Sequence, residues 1–208
     1  MDYSPGVEIC GVDEAGRGPL AGPLSLSVVH YSRDVLIEIF NRNILKELND
    51  SKKLSSKVRE KLLPEIQKYA SCIVHQFVSN RFIDRFGISY SIFYGIRKMV
   101  SKSKLKSPFL LIDGNYNFSR FGPDWGYRSI VKGDSKIASI ASASIVSKVK
   151  RDALMISMAR KFPEYDFASH KGYGTKKHIA AIETFGSSKL HRISFLNNFR
   201  VPGHGLQS

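Results

Sequence analysis

The 208-residue chain reads as an α/β protein, a layered domain in which strands and helices alternate. Three observations predict this. Short β-branched apolar runs are bounded by Gly and Pro, the segments between them repeat with a helical period, and 42% hydrophobic with 24% charged residues is close to the globular average. A chain of this length suits one compact domain, or one domain with a small appendage.

The elements follow in order. Val7 to Val12 and Leu24 to Tyr31 read as strands, and EAGRGPLAGP between them is too rich in Gly and Pro to continue either. A helical period runs from Val35 to Leu48, and the Ser- and Lys-rich NDSKKLSS leads to a second helix from Lys57 to Tyr69. Cys72 to Val78 is a strand, Asn80 to Phe86 and Tyr90 to Ser101 are helices, and Phe109 to Asp113 is a short buried strand. GNYNFSRFGPDWG is a loop, followed by a short strand from Tyr127 to Val131. The stretch from Asp134 to Arg160 is a helix with a tight Ala- and Ser-rich face, and Asp134 and Ser135 stand where an N-cap belongs. From Pro163 the chain is rich in Lys, His, Arg, Gly and aromatics, with one more helix from Lys176 to Phe185. The expected division is a core, 1–162, and a basic C-terminal subdomain, 163–208. No internal repeat or low-complexity tract is visible.

Charge narrows the partners. Thirty-two Lys and Arg against 18 Asp and Glu give a formal +14 and a pI near 9.8. Nucleic acid fits such a surplus, because cations that neutralise phosphates release condensed counterions; the bland alternative is a generically basic surface. Cys10 and Cys72 lie in apolar strands and read as buried free thiols, too sparse for a disulfide framework. The opening MDYSPGVEIC lacks a secretory pattern, and no run approaches the roughly 18 apolar residues of a membrane span. A cytoplasmic, unprocessed protein with no membrane partner is expected.

Phosphodiester hydrolysis requires a nucleophilic water, charge neutralisation at phosphorus and a stabilised leaving oxygen, which two divalent metals held by carboxylates supply. In a basic chain, acidic residues at strand ends therefore stand out. Asp13 and Glu14 end the first strand, Asp113 ends FLLID, and Asp134 stands at a helix start. Any one alone is more often a turn residue or a simple cap. Hard oxygen ligands suit Mg²⁺ or Mn²⁺. Beside the first pair, Gly16 and Gly18 flank Arg17, so the backbone can approach a sugar closely while the cation holds a phosphate.

GVDEAGRGPLAGP, from Gly11 to Pro23, resembles the opening signature of the ribonuclease HII family. NDSKKLS, LIDGN, KGDS, ASIVSKVKRD, HKGYGTKKH and HRISF follow in that family's order, so the resemblance spans nearly the whole chain. It implies a ribonuclease H-like mixed sheet flanked by helices, with a helical C-terminal extension that helps to grip a duplex. It implies Asp13, Glu14, Asp113 and Asp134 as catalytic metal ligands, with Gly16, Arg17, Gly18 and Tyr173 reading the RNA–DNA junction. The expected substrates are RNA–DNA hybrids and DNA with embedded ribonucleotides, cut by a monomer. The related ribonuclease HIII usually carries an extra N-terminal domain and lacks the G-R-G loop, which favours the HII type.

Lys52, Lys53, Lys148, Arg151, Lys176 and Lys177 lie in or beside these motifs and are candidate phosphate contacts. Asp152 is expected to be an ion-pair partner, and His170, His178, His191 and His204 match no zinc spacing and are expected to be solvated or phosphate-facing. Tyr116, Phe118, Phe121 and Trp125 are expected to pack over the sheet edge rather than stack on bases. A basic binding module without chemistry is the competing class, and it has no reason to set carboxylates against phosphates. A different metal nuclease on the same core would keep the carboxylates but lose the G-R-G and Tyr173 pair.

Overall fold

The structure is a computed structural model that describes residues 6–49, 51 and 53–197. A mixed five-stranded sheet forms its centre: β1 (Glu8–Ala15), β2 (Leu24–His30), β3 (Cys72–Val78), β4 (Pro108–Asp113) and β5 (Gly126–Ile130), in the order β3-β2-β1-β4-β5. β2 pairs antiparallel with β1 and β3, whereas β4 runs parallel to β1 and β5. The flanking helices are α1 (Arg33–Phe40), α2 (Ser56–Tyr69), α3 (Asn80–Ser103), α4 (Ala138–Ala159), α5 (Phe167–His170) and α6 (Lys176–Phe185). None of the described helices is long and apolar enough to cross a membrane.

Strand alternation decides what each face of the sheet meets. Cys10, Val12, Leu26, Leu110 and Ile112 point to one side and pack with Ile83, Ile92, Phe93 and Ile96 of α3. The intervening positions, Gly11, Asp13, Ser25 and Ser27, point to the other side, where α4 lies. A Cβ on Gly11 would stand 2.1 Å from the Ser139 carbonyl carbon, so only glycine admits the helix backbone here. Serines complete the seam. Ser147 Oγ donates to the Asp13 carbonyl at 3.0 Å and lies 2.9 Å from Ser27 Oγ, while Ser25 Oγ donates to the Ser147 carbonyl at 2.9 Å. Away from the seam this face is apolar, with Val29, Ala143, Ile145 and Val146 packed on Leu62 and Ile66 of α2.

Four elements differ from expectation. β1 runs through Asp13 and Glu14, which pair with Ser27 and Leu26, so the carboxylates lie inside the strand. α1 ends at Phe40 because Arg42 and Leu45 adopt left-handed φ values of 58° and 48°. Leu45 and Leu48 still pack on the core, which is why the apolar period continues past the helix. The two helices expected around residue 87 form one element kinked at Gly87, with φ 76°. Asp134 is not an N-cap: it sits in a 3₁₀ turn, Gly133–Ser135, and α4 begins after Ile137.

The C-terminal segment packs on the loop between β1 and β2. Leu20 and Ala21 join Met155, Tyr165, Phe167, Ile182 and Leu196 in one apolar cluster. Backbone bonds stitch the same contact: Leu20 N–H donates to the Gly172 carbonyl at 2.8 Å, Gly22 N–H to the Leu190 carbonyl at 2.8 Å, and Arg192 N–H to the Leu20 carbonyl at 2.8 Å.

Candidate active site

Pairing of Val12 with Ile112 brings Asp13, inside β1, beside Asp113 at the end of parallel β4, both on the α4 side. Asp134 arrives from the turn before α4, and the Gly133 N–H ties that turn to Asp113 Oδ1 at 2.6 Å. One carboxylate oxygen from each of the three aspartates lies within 4.8 Å of the others. Asp13 and Asp134 are each 5% exposed. Burial, then the charges of Glu14 and Asp113, push the Asp13 carboxyl well above the usual carboxylate range; a Ser144 hydroxyl and the Glu14 N–H, 2.7 Å from Oδ1, partly offset this. Three oxygen donors at this spacing, crowded enough to repel one another, fit a hard divalent cation.

Glu14 follows Asp13 on the strand and therefore faces the other way. Its Oε1 accepts from Tyr116 Oη at 2.9 Å and lies 3.7 Å from Arg17 Nη1. It lines a cavity of about 270 Å³ together with Asp13, Asp113, Gly16, Arg17, Gly18, Lys148 and Tyr173, but stands outside the aspartate group. A larger cavity of about 600 Å³, between α1 and the β1–β2 edge, is lined by residues such as Val7, Ile9, Leu36 and Phe40 and holds no carboxylate.

Tyr173 is 43% exposed, with Lys148 Nζ 5.9 Å from its ring centre. Lys148 also pairs with Asp152 at 2.9 Å, the ion pair expected for that aspartate. Lys53 is exposed outside the cavity, beside a loop whose Ser51 hydroxyl lies 2.7 Å from Ser144 Oγ; Lys52 lies outside the described residues. Lys176 and Lys177 are exposed at the start of α6.

Two expectations need correction. Arg151 is fully buried and cannot meet a phosphate: it donates to the carbonyls of Pro23, Lys171 and Ala21 at 3.0, 2.9 and 3.1 Å. His170, His178 and His191 are buried rather than solvated, because they pack against Phe167 and Tyr165 and bond one another and the backbone. His204 lies outside the described residues. The aromatic loop packs as expected, with Phe118 and Trp125 in the α3 core. Sequence reasoning missed the Tyr116 bond to Glu14, the Ser144 bond to Asp13 and the role of Arg192. Arg192 is fully buried and donates to the carbonyls of Gly16, Arg17 and Gly22 at 2.6, 2.8 and 3.0 Å. Its place in HRISF was the available signal.

A mixed sheet that gathers aspartates on adjoining parallel strands, beside a lysine- and arginine-lined cleft, defines a nuclease of the ribonuclease H-like fold. The solved ribonuclease H2 of Pyrococcus horikoshii OT3 superposes with a TM-score of 0.75 at 22% identity, covering 90% of this chain and 93% of that one. Bst ribonuclease HIII in complex with Mn²⁺ superposes with a TM-score of 0.66 at 16% identity, covering 91% and 67%. The chain belongs to the ribonuclease HII family, whose pattern it matches over residues 10–198. Ribonuclease HII of Caldicellulosiruptor bescii is 42% identical over 190 residues, 91% of this chain and 87% of that protein. It is thus a ribonuclease H-type endoribonuclease, a hydrolase.

Proposed function

We propose that the chain cuts the RNA strand of RNA–DNA hybrids and, in duplex DNA, cuts 5′ of an embedded ribonucleotide, using two divalent ions, Mg²⁺ or Mn²⁺. The observation that carries this reading is the approach of Asp13, Asp113 and Asp134 oxygens to within 4.8 Å. The G-R-G loop and Tyr173 share the cavity that Asp13 and Asp113 line.

Bound divalent ions would supply an attacking water, neutralise the phosphoryl oxygens and stabilise the leaving oxygen. Asp13, Asp113 and Asp134 would hold them, with Glu14 completing the carboxylate set from the rim. Arg17, whose side chain is 56% exposed, would meet a phosphate, with Lys148, Lys52 and Lys53 along the same backbone. The backbone at Gly16 to Gly18 would test for the 2′-OH, and the Tyr173 ring would pack on the deoxyribose just beyond it. In the reaction the water oxygen bonds phosphorus and the bond to the 3′ oxygen breaks, leaving a 3′-hydroxyl and a 5′-phosphate. The enzyme would act as a monomer in the cytoplasm.

The test is cleavage of a DNA duplex carrying one ribonucleotide, with and without divalent metal, with products mapped to the nucleotide. A metal-dependent cut on the 5′ side of the ribonucleotide is expected. Cleavage in chelator, or a 2′,3′-cyclic phosphate product, would overturn the reading.

A further inference from the structure

The two readers of the sugar change are anchored by adjacent residues of the C-terminal segment. Arg192 holds the first. Its guanidinium takes the carbonyls of Gly16, Arg17 and Gly22, and no carboxylate is among these partners. The described peptides are trans, and in a planar trans peptide the N–H points away from the carbonyl before it. Drawing the Gly16 and Arg17 carbonyls inward therefore turns the N–H groups of Arg17 and Gly18 away from Arg192, as donors for a ligand oxygen. Gly16, at φ +93°, completes this arrangement: a Cβ there would stand 2.1 Å from Arg151 Nε, so the loop rests directly on a second buried guanidinium.

His191 holds the second reader through His178. The Ser188 N–H donates to His191 Nδ1 at 2.9 Å, so that nitrogen is the acceptor and the proton of the neutral ring is on Nε2. His191 Nε2 lies 3.0 Å from His178 Nε2 and must donate to it, which leaves the His178 proton on Nδ1. Nδ1–H then donates to the Tyr173 carbonyl at 2.9 Å. One backbone amide thus sets both tautomers, and the chain of bonds ends on the residue whose ring faces the cleft. His178 and His191 are essentially inaccessible to solvent.

We infer that His178, His191 and Arg192 are positioning residues that set the separation between the Gly16-Arg17-Gly18 loop and Tyr173, and so determine preference for an RNA–DNA junction over a uniform hybrid. The inference rests on the junction reading of those two elements given above. It differs from a merely structural role because it predicts loss of discrimination rather than loss of hydrolysis.

The experiment compares kcat/KM on a duplex with one embedded ribonucleotide with kcat/KM on a uniform RNA–DNA hybrid, at saturating Mn²⁺, and reads the ratio. His178→Asn places an amide N–H where Nδ1 stands and keeps the Tyr173 bond, whereas His178→Gln places it where Nε2 stands and loses that bond. Loss of one buried hydrogen bond should lower the ratio about tenfold in His178→Gln, and His178→Asn should restore it to within about twofold of the parent. Arg192→Lys keeps the charge but cannot span three carbonyls, so it should also lower the ratio, and it carries the test if either His178 variant does not fold. Equal loss in the Gln and Asn variants, or an unchanged ratio in Arg192→Lys, would overturn the inference. Tyr173→Ala, measured alongside, separates the two levels. If it lowers the ratio while His178→Gln and Arg192→Lys do not, the positioning role fails and the junction reading stands. If Tyr173→Ala leaves the ratio unchanged, the junction reading fails first and the inference falls with it.

Discussion

The aspartate centre and the G-R-G edge lie side by side in one cleft, yet they are stabilised in opposite ways. At the centre, carboxylates crowd together, and burial, then the charges of Glu14 and Asp113, push the Asp13 carboxyl well above its usual range. At the edge, two buried guanidiniums are satisfied by six backbone carbonyls between them. Burial and the nearby Arg151 lower Arg192 only to about 9, so it stays charged at neutral pH. One region gathers carboxylates that repel one another, and the other carries its cations within the fold. The centre should therefore respond to metal and the edge to folding.

The largest expected effect breaks the centre alone. Asp113→Asn keeps the shape but removes a charge from the ligand set, and turnover should fall on the order of 10³-fold. Hybrid affinity, measured by titration of uncut substrate, should stay within a few-fold. Near-normal turnover in Mg²⁺ would remove Asp113 from the ligand set.

Next comes the seam that builds the centre. Gly11→Ala drives a methyl into the Ser139 backbone, 2.1 Å away, and nothing flexible can yield there. Overpacking of this kind costs about 3 kcal/mol, or about 6–12 °C in Tm for a chain of this size. The rise in Tm on adding Mn²⁺ should shrink as well, since α4 carries the Asp134 turn. A parent-like Tm would mean that α4 does not sit as close as described.

Acid should loosen the edge before the centre. Burial, offset in part by the Tyr173 carbonyl, lowers His178 to about 4, and burial together with His178 lowers His191 to about 4, against 6.5 unfolded. As pH falls below 6.5 the unfolded chain takes up protons that the folded rings refuse, so stability is full above that value and is lost between 6.5 and 4. The cost is about 2 kcal/mol for one ring between pH 7 and 5, checked by urea unfolding at the two values. His178→Gln should flatten that dependence, and a slope identical to the parent's would exclude the ring as its source.

The smallest expected effect tests whether Glu14 needs its tether. Tyr116→Phe removes the 2.9 Å bond to Oε1 while keeping the ring on Phe118. A neutral donor to a carboxylate is worth about 1–2 kcal/mol, so kcat should drop about 5–30-fold with the fold intact by thermal melt. An unchanged kcat would show that the carboxylate is placed by something other than Tyr116.

The order of strands and helices was legible because each element carries its own period. The range of β3 and that of α6 follow from sequence alone, and the strand-end position of Asp113 follows from the apolar run before it. The limits of α1 and the start of α4 were not legible. Leu45 and Leu48 keep a helical period while packing from a loop, and Asp134 and Ser135 have cap chemistry without cap geometry.

By itself, the sequence determined the residue types of the site and the alternation that places Asp13 and Glu14 on opposite sides of a strand. The tertiary structure decided which of them meet. Only the parallel register of β1 with β4 sets Asp13 beside Asp113, and only the glycine and serine seam lets α4 bring Asp134 to them. It also turned Arg151 and three histidines from apparent surface groups into buried ones, and buried Arg192 beside them. The physical reason is that charge and hydrogen-bonding capacity are local properties of a side chain, whereas burial depends on what packs over it. The β1–β2 loop carbonyls that satisfy Arg151 and Arg192 lie more than 120 residues away in sequence, and the histidines are enclosed by Tyr165 and Phe167.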